Sequence, residues 1–84
     1  MKTTASQSTR PLHIIAADIR RAWTKVNYGA VPYLNAMFCL RGIGDMYGHD
    51  DAGSIVRYFL ANAGTWRGED AKRIKAELKA MLPY

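Results

Sequence analysis

Apolar residues return at three- and four-residue steps through most of this chain, and no stretch alternates as a half-buried strand does. Leu12, Ile15, Ile19, Ala22, Trp23 and Val26 make one such stripe and predict a helix over 10–26. Ser8 or Thr9 is its expected N-cap. Pro11 suits the first turn, where the N–H it lacks would go unpaired in any case. Asn27-Tyr28-Gly29 ends the segment. A further stripe of Ile55, Val56, Phe59, Leu60 and Ala63 predicts a helix over 51–63, with Asp50 to cap its start and Gly64 to close it. The last helix, over 68–82, turns Ala71, Ile74, Leu78 and Met81 inward. It leaves Lys72, Arg73, Lys75 and Lys79 outside, with Glu69–Arg73 and Arg73–Glu77 at i,i+4 spacing.

The segment "AVPYLNAMFCLRGI" differs from these three. Pro32 fits a first turn, Gly42 and Gly44 can end a helix, and between them Asn35 and Arg41 are the strongly polar residues. A helix apolar nearly all round belongs at the centre of a bundle or under a partner. The expected fold is therefore all-α: a small four-helix domain with short connections, the 30–42 helix central, and "GIGDMYGHDD" a turn. Eighty-four residues support one core, so residues 1–9 are expected to form a flexible arm and residues 10–84 a single helical domain.

Apolar residues make up 49% of the chain, too many for intrinsic disorder. No apolar run reaches the roughly 18 residues a membrane helix needs, and the polar start "MKTTASQSTR" lacks a signal-peptide apolar region. Cys39 has no second cysteine to pair with, so packing alone must stabilise the fold. A cytoplasmic protein of a bacterial cell is the expectation. The net charge of +5 is uneven: residues 1–26 contribute +4, residues 27–64 contribute −1 and residues 65–84 contribute +2. Basic excess at both ends suits an acidic partner, whether nucleic acid or an acidic protein face.

"GTWRGEDAKRIK" resembles the turn and second helix of a helix-turn-helix. With Gly64 as the turn glycine, the charged Asp70 falls on a core position. With Gly68 the letters fit, but Gly64 and Arg67 then lie inside the first helix, where a glycine costs about 1 kcal/mol. In both registers Glu69 and Asp70 begin the would-be recognition helix and oppose a phosphate backbone. An ordinary helix–helix corner is the better account. It gives Trp66 structural work as a staple, under Arg67 or against Trp23.

Chemistry-bearing groups are sparse. Asp45, His49, Asp50 and Asp51 lack the alternate spacing of a hard-metal loop, and His13 is distant, so no metal or cofactor is expected. Cys39 amid Met37, Phe38 and Leu40 reads as inert core, not as a nucleophile for His13 or His49. The glycines of "RGIGDMYG" match no nucleotide loop. Tyr28, Tyr33, Tyr47 and Tyr58 offer stacking surfaces but lie in the segment of net −1. An enzyme is not expected.

Three longer stretches, "IAADIRRAW", "NYGAVPYLNAM" and "YGHDDAGSIVRYFLANAGTWRGEDAKRIKAELKAML", give nearly all of the chain after residue 12 a likeness to a known group. It resembles short proteins of actinobacterial phages and prophages. The resemblance brings no activity, substrate or site residues; it implies a protein that binds a host or defence macromolecule. The expected function is accordingly a non-enzymatic binding protein, a phage-type modulator or inhibitor acting through a helical surface. Its partner-binding candidates are the aromatic and basic groups at the last corner: Tyr58, Trp66, Arg67, Lys72 and Lys75. The alternative is a nucleic-acid binder using Arg10, Arg20, Arg21 and Lys25 with Arg67, Lys72, Arg73 and Lys75. A structural homodimer built on the second helix is the third expectation.

Overall fold

The computed structural model describes residues 10–82. The expected caps Ser8 and Thr9 and the arm over 1–9 lie outside them. The chain is mostly helical, with α1 at Leu12–Ala22, a 3₁₀ turn at Tyr28–Ala30 running into α2 at Val31–Met37, α3 at Ala52–Ala61 and α4 at Glu69–Met81. A short antiparallel ribbon interrupts this pattern: β1, Met46–Tyr47, pairs with β2, Asp50–Asp51. The fold is thus not purely helical, and the connection over 38–51 is not short. Gly48 makes the ribbon feasible, since its φ of +63° is the left-handed value that a two-residue turn between paired strands requires.

The first three helices are shorter than their apolar stripes. α1 stops at Ala22, with the Trp23 N–H still bonded to the Ile19 carbonyl at 2.7 Å. Trp23 then leaves helical geometry and places its ring flat on Trp66 at 5.3 Å, and edge-on to Phe59 at 6.1 Å. That aromatic packing at the helix end takes the place of the last turn expected through Val26. α2 ends at Met37 because the chain tightens there: Cys39 N–H bonds to Ala36 and Leu40 N–H to Met37, three residues back. The carbonyls of Leu40 and Arg41 are thereby turned toward the start of α1, where they accept from His13 N–H at 2.9 Å and Leu12 N–H at 2.6 Å. Pro11 is thus the N-cap of α1 and not part of its first turn, and with no side-chain cap the first two donors of the helix are satisfied by another part of the chain.

The start of α3 is capped by Asp51, not Asp50. Its carboxylate accepts from the Ser54 hydroxyl at 2.7 Å and the Ser54 N–H at 3.3 Å, which holds it below the ordinary carboxylate range. Gly64 is not the C-cap of α3; Asn62 is, and Gly64 lies in the turn beyond it. Asp45 likewise stays strongly acidic, because the backbone N–H groups of Arg41 and Gly42 bond to its carboxylate. These two aspartates order the 38–51 connection by local hydrogen bonding.

One core gathers every helix. Leu12, Ile15 and Ile19 of α1, Leu34 and Met37 of α2, Phe59 of α3, and Ile74 and Leu78 of α4 are fully buried. The second helix is central only in part: it packs on α3 and α1, while α4 is held against α1. Leu60 and Met81, expected inside, are half-buried at the core's edge.

The 3₁₀ turn fits closely beneath the end of α3. A Cβ on Gly29 would stand 2.6 Å from Asn62 Oδ1, and that amide is pinned by its own bond to the Tyr58 carbonyl at 2.9 Å. Gly29→Ala should therefore cost about 1–3 kcal/mol of stability by overpacking. Urea unfolding of Gly29→Ala with and without Asn62→Ala checks this: the second change should recover part of the loss, and strictly additive losses would contradict the clash.

Candidate functional site

The corner between α3 and α4 holds most of the partner-binding candidates. Chain leaving α3 passes Gly64 and Thr65, buries Trp66 at 4% exposure, and reaches Gly68 before α4 begins. Trp66 is therefore core and not an exposed anchor, and the flat stack on Trp23 explains why. Around it, Gly64, Arg67, Gly68, Ala71, Lys72 and Lys75 line a depression of about 340 Å³. Four of the five expected residues meet here. The fifth, Tyr58, does not: it is 49% exposed and pairs its ring with Tyr33 of α2 at 5.3 Å.

Lys75 is the most constrained of the three cations. Its Nζ donates to the Trp66 carbonyl at 2.7 Å and lies 6.0 Å from the centre of the Trp66 ring. Partial burial, with the like charges of Arg67 and Lys79, pushes its pKa below the ordinary lysine value. No carboxylate lines the depression.

Elsewhere three arginines are ion-paired. Asp18 of α1, only 14% exposed, accepts from three arginines: Arg21 in the same helix, Arg10 at 3.2 Å and Arg73 of α4 at 3.4 Å. Arg10 also binds Glu77 with two bonds, at 2.7 and 2.8 Å, and Arg73 reaches Asp70 at 3.1 Å. The i,i+4 pairs expected for Arg73 are replaced by these, because Glu77 faces Arg10 across the α1–α4 seam. Hydrogen bonds from Arg21 first, then Arg10, and the charge of Arg73 hold the Asp18 carboxyl well below the usual carboxylate range. Arg20 turns away, bonding to Asn35 Oδ1 at 3.0 Å with its guanidinium over Phe38 at 5.2 Å. Of the expected basic face, Arg10 and Arg21 are thus ion-paired with Asp18 and Glu77, Arg73 joins them through Asp18 and Asp70, and Arg20 bonds only to a neutral amide.

The helix-turn-helix registers also fail on geometry. α3 ends at Ala61, so Gly64 and Arg67 are outside any first helix, and Glu69 and Asp70 stand exposed at the start of α4. Gly68 holds φ +109°, available to glycine and strained for other residues, at the N-cap of α4.

Three other features round out the surface. Cys39, expected in the core, is exposed because α2 has already ended. His13 Nδ1 lies 3.3 Å from the Leu40 carbonyl, at the start of α1. A second, apolar depression of about 400 Å³ lies along Tyr28, Gly29, Val31, Pro32 and Asn35, with Tyr28 92% exposed. Among the described residues no helix is long and apolar enough to cross a membrane, and no group of three or more His, Cys, Asp or Glu side chains converges on one point.

Sequence reasoning missed the Asp18 hub. Its ion pairs to α4 span 55 residues of sequence, and no local pattern encodes them. Comparison with known protein families, with characterised proteins and with solved structures finds no match to this chain.

Proposed function

We propose that this chain is a non-enzymatic binding protein, a phage-type modulator that engages an acidic face of a host or defence protein through the α3–α4 corner. The observation that carries it is that Arg67, Lys72 and Lys75 share one depression while the neighbouring arginines are ion-paired. Arg10, Arg21 and Arg73 cancel against Asp18, Asp70 and Glu77. Within residues 67–79, Arg67, Lys72, Lys75 and Lys79 then remain, with Glu69 as the carboxylate outside that network. A concave, cationic patch with a rigid aromatic floor is suited to a surface of a partner that presents more than one negative charge.

A nucleic-acid track fits less well. Phosphates need successive cations along a path, and Asp18 divides those of α1 from those of the corner. Glu69 and Asp70 follow Gly68 in the first turn of α4.

The test is affinity capture of the tagged protein from an actinobacterial lysate, with and without nuclease, beside Arg67→Glu/Lys72→Glu. A protein retained at near-equal stoichiometry after nuclease, and lost with the double variant, is the expected result. Each desolvated charge contact should contribute about 2 kcal/mol or more, so the variant should retain little. Recovery of nucleic acid alone, abolished by nuclease, would replace this proposal with the nucleic-acid one.

A further inference from the structure

We infer that the corner depression is an anion site for a compact dianion of the phosphate-monoester class, resting on the same corner that the proposed function uses. Three features of the lining lead there. The first is charge: Arg67, Lys72 and Lys75 converge on one depression with no carboxylate in its wall. A single carboxylate would leave most of that repulsion in place, whereas a dianion offsets two of the three charges.

The second is donor geometry. Lys75 is tethered through one N–H to the Trp66 carbonyl at 2.7 Å, so its ammonium is held in position with two N–H groups to spare. Arg67 brings a planar fork suited to two oxygens of one phosphoryl group, and Lys72 adds a mobile point charge. Partial burial first, and then the charges of Arg67 and Lys79, lower the Lys75 pKa, so a bound anion would relieve part of that cost.

The third is access. Gly64 and Gly68 both line the depression, and a Cβ built on either meets nothing within 4 Å, so an anion can approach the backbone there. The volume of about 340 Å³ exceeds many times the roughly 30 Å³ of a water molecule, leaving room for an oxyanion, its remaining waters and the first carbons of a carrier. A longer polyanion fits poorly, because Glu69 and Asp70 follow Gly68 directly and would face the next phosphate.

The phosphoryl group has two sources, free phosphate and a phosphorylated side chain of a protein, and the test separates them. Amide shifts of the full chain are followed on addition of inorganic phosphate, a phosphoserine peptide, its unmodified serine counterpart and acetate, all at matched ionic strength. Saturating shifts confined to residues 64–75 are expected with phosphate and the phosphopeptide but not with acetate or the serine peptide. Arg67→Glu/Lys72→Glu should weaken them by about tenfold or more with circular dichroism and Tm unchanged. Tighter binding of the phosphopeptide than of phosphate assigns the site to a modified protein; equal binding assigns it to the free anion.

Shifts of equal size with acetate, or shifts that never saturate and spread over the surface, would overturn the inference. Its fate is separable from that of the proposed function. Retention of a lysate protein that Arg67→Glu/Lys72→Glu abolishes, without any phosphate response, leaves the acidic-face proposal standing and removes the dianion site. Phosphate binding without a retained protein does the reverse.

Discussion

Trp66→Ala is expected to cost the domain about 3–5 kcal/mol of stability. The indole is 4% exposed, lies flat on Trp23 at 5.3 Å and has the Lys75 Nζ 6.0 Å from its ring centre. Truncating a buried tryptophan costs about 3–5 kcal/mol. A chain of 84 residues has a total stability of about 4–13 kcal/mol at the usual value per residue. The loss is therefore a large part of the whole. Urea unfolding at pH 7 reads it directly, and Trp66→Phe, which keeps a ring on Trp23, should lose much less. A Trp66→Ala protein within about 1 kcal/mol of the parent would show that the corner is not built on this stack.

The second large effect is expected at Asp18. Asp18→Asn removes the carboxylate shared by Arg10, Arg21 and Arg73 and leaves three guanidinium groups without their common counter-charge. Arg21 and Arg73 are half or more exposed, so water screens much of the repulsion, and the expected loss is about 1–2 kcal/mol. The sign of its pH dependence follows from the direction of the shift. Arg21, Arg10 and Arg73 lower the Asp18 pKa in the fold, so the folded state binds fewer protons than the unfolded chain within the shifted range. The contribution is fully present above the ordinary carboxylate pKa and disappears as pH falls through the folded value. Parent and Asp18→Asn should thus differ most near neutrality and converge as pH falls below the ordinary carboxylate range through the lowered folded value. A stability difference that persists unchanged into acid would mean that Asp18 acts through shape and not through its charge.

Much of the architecture was legible because it rests on local pattern. The stripes of α1, α3 and α4 carry their register in sequence, and Ala71, Ile74 and Leu78 face inward as their spacing requires. The contact of Trp66 with Trp23 was one of the placements the sequence offered for that ring, beside one under Arg67. What local pattern cannot encode is competition from distant partners. α2 gives up its last turn so that Leu40 and Arg41 can serve α1, although Phe38, Cys39 and Leu40 read as helix. The ribbon at 46–51 leaves a faint trace in Gly48-His49 between Tyr47 and Asp50, but two-residue strands are too short for an alternation to register. In the site, the grouping of Arg67, Lys72 and Lys75 follows from adjacency at one turn and the start of a helix. Tyr58 was misplaced because Tyr33, from another helix, draws its ring away.

The pairing of the Leu40 and Arg41 carbonyls with the first amides of α1 has a consequence for how the chain gains its shape during synthesis. The start of α1 has no side-chain cap of its own. Its leading amides stay open to water until residues 40 and 41 have been added and have turned back. The first helix and the turn after the second are therefore one cooperative unit, protected from hydrogen exchange together and opening together. In this protein the earliest helix in sequence is not the earliest that can be completed.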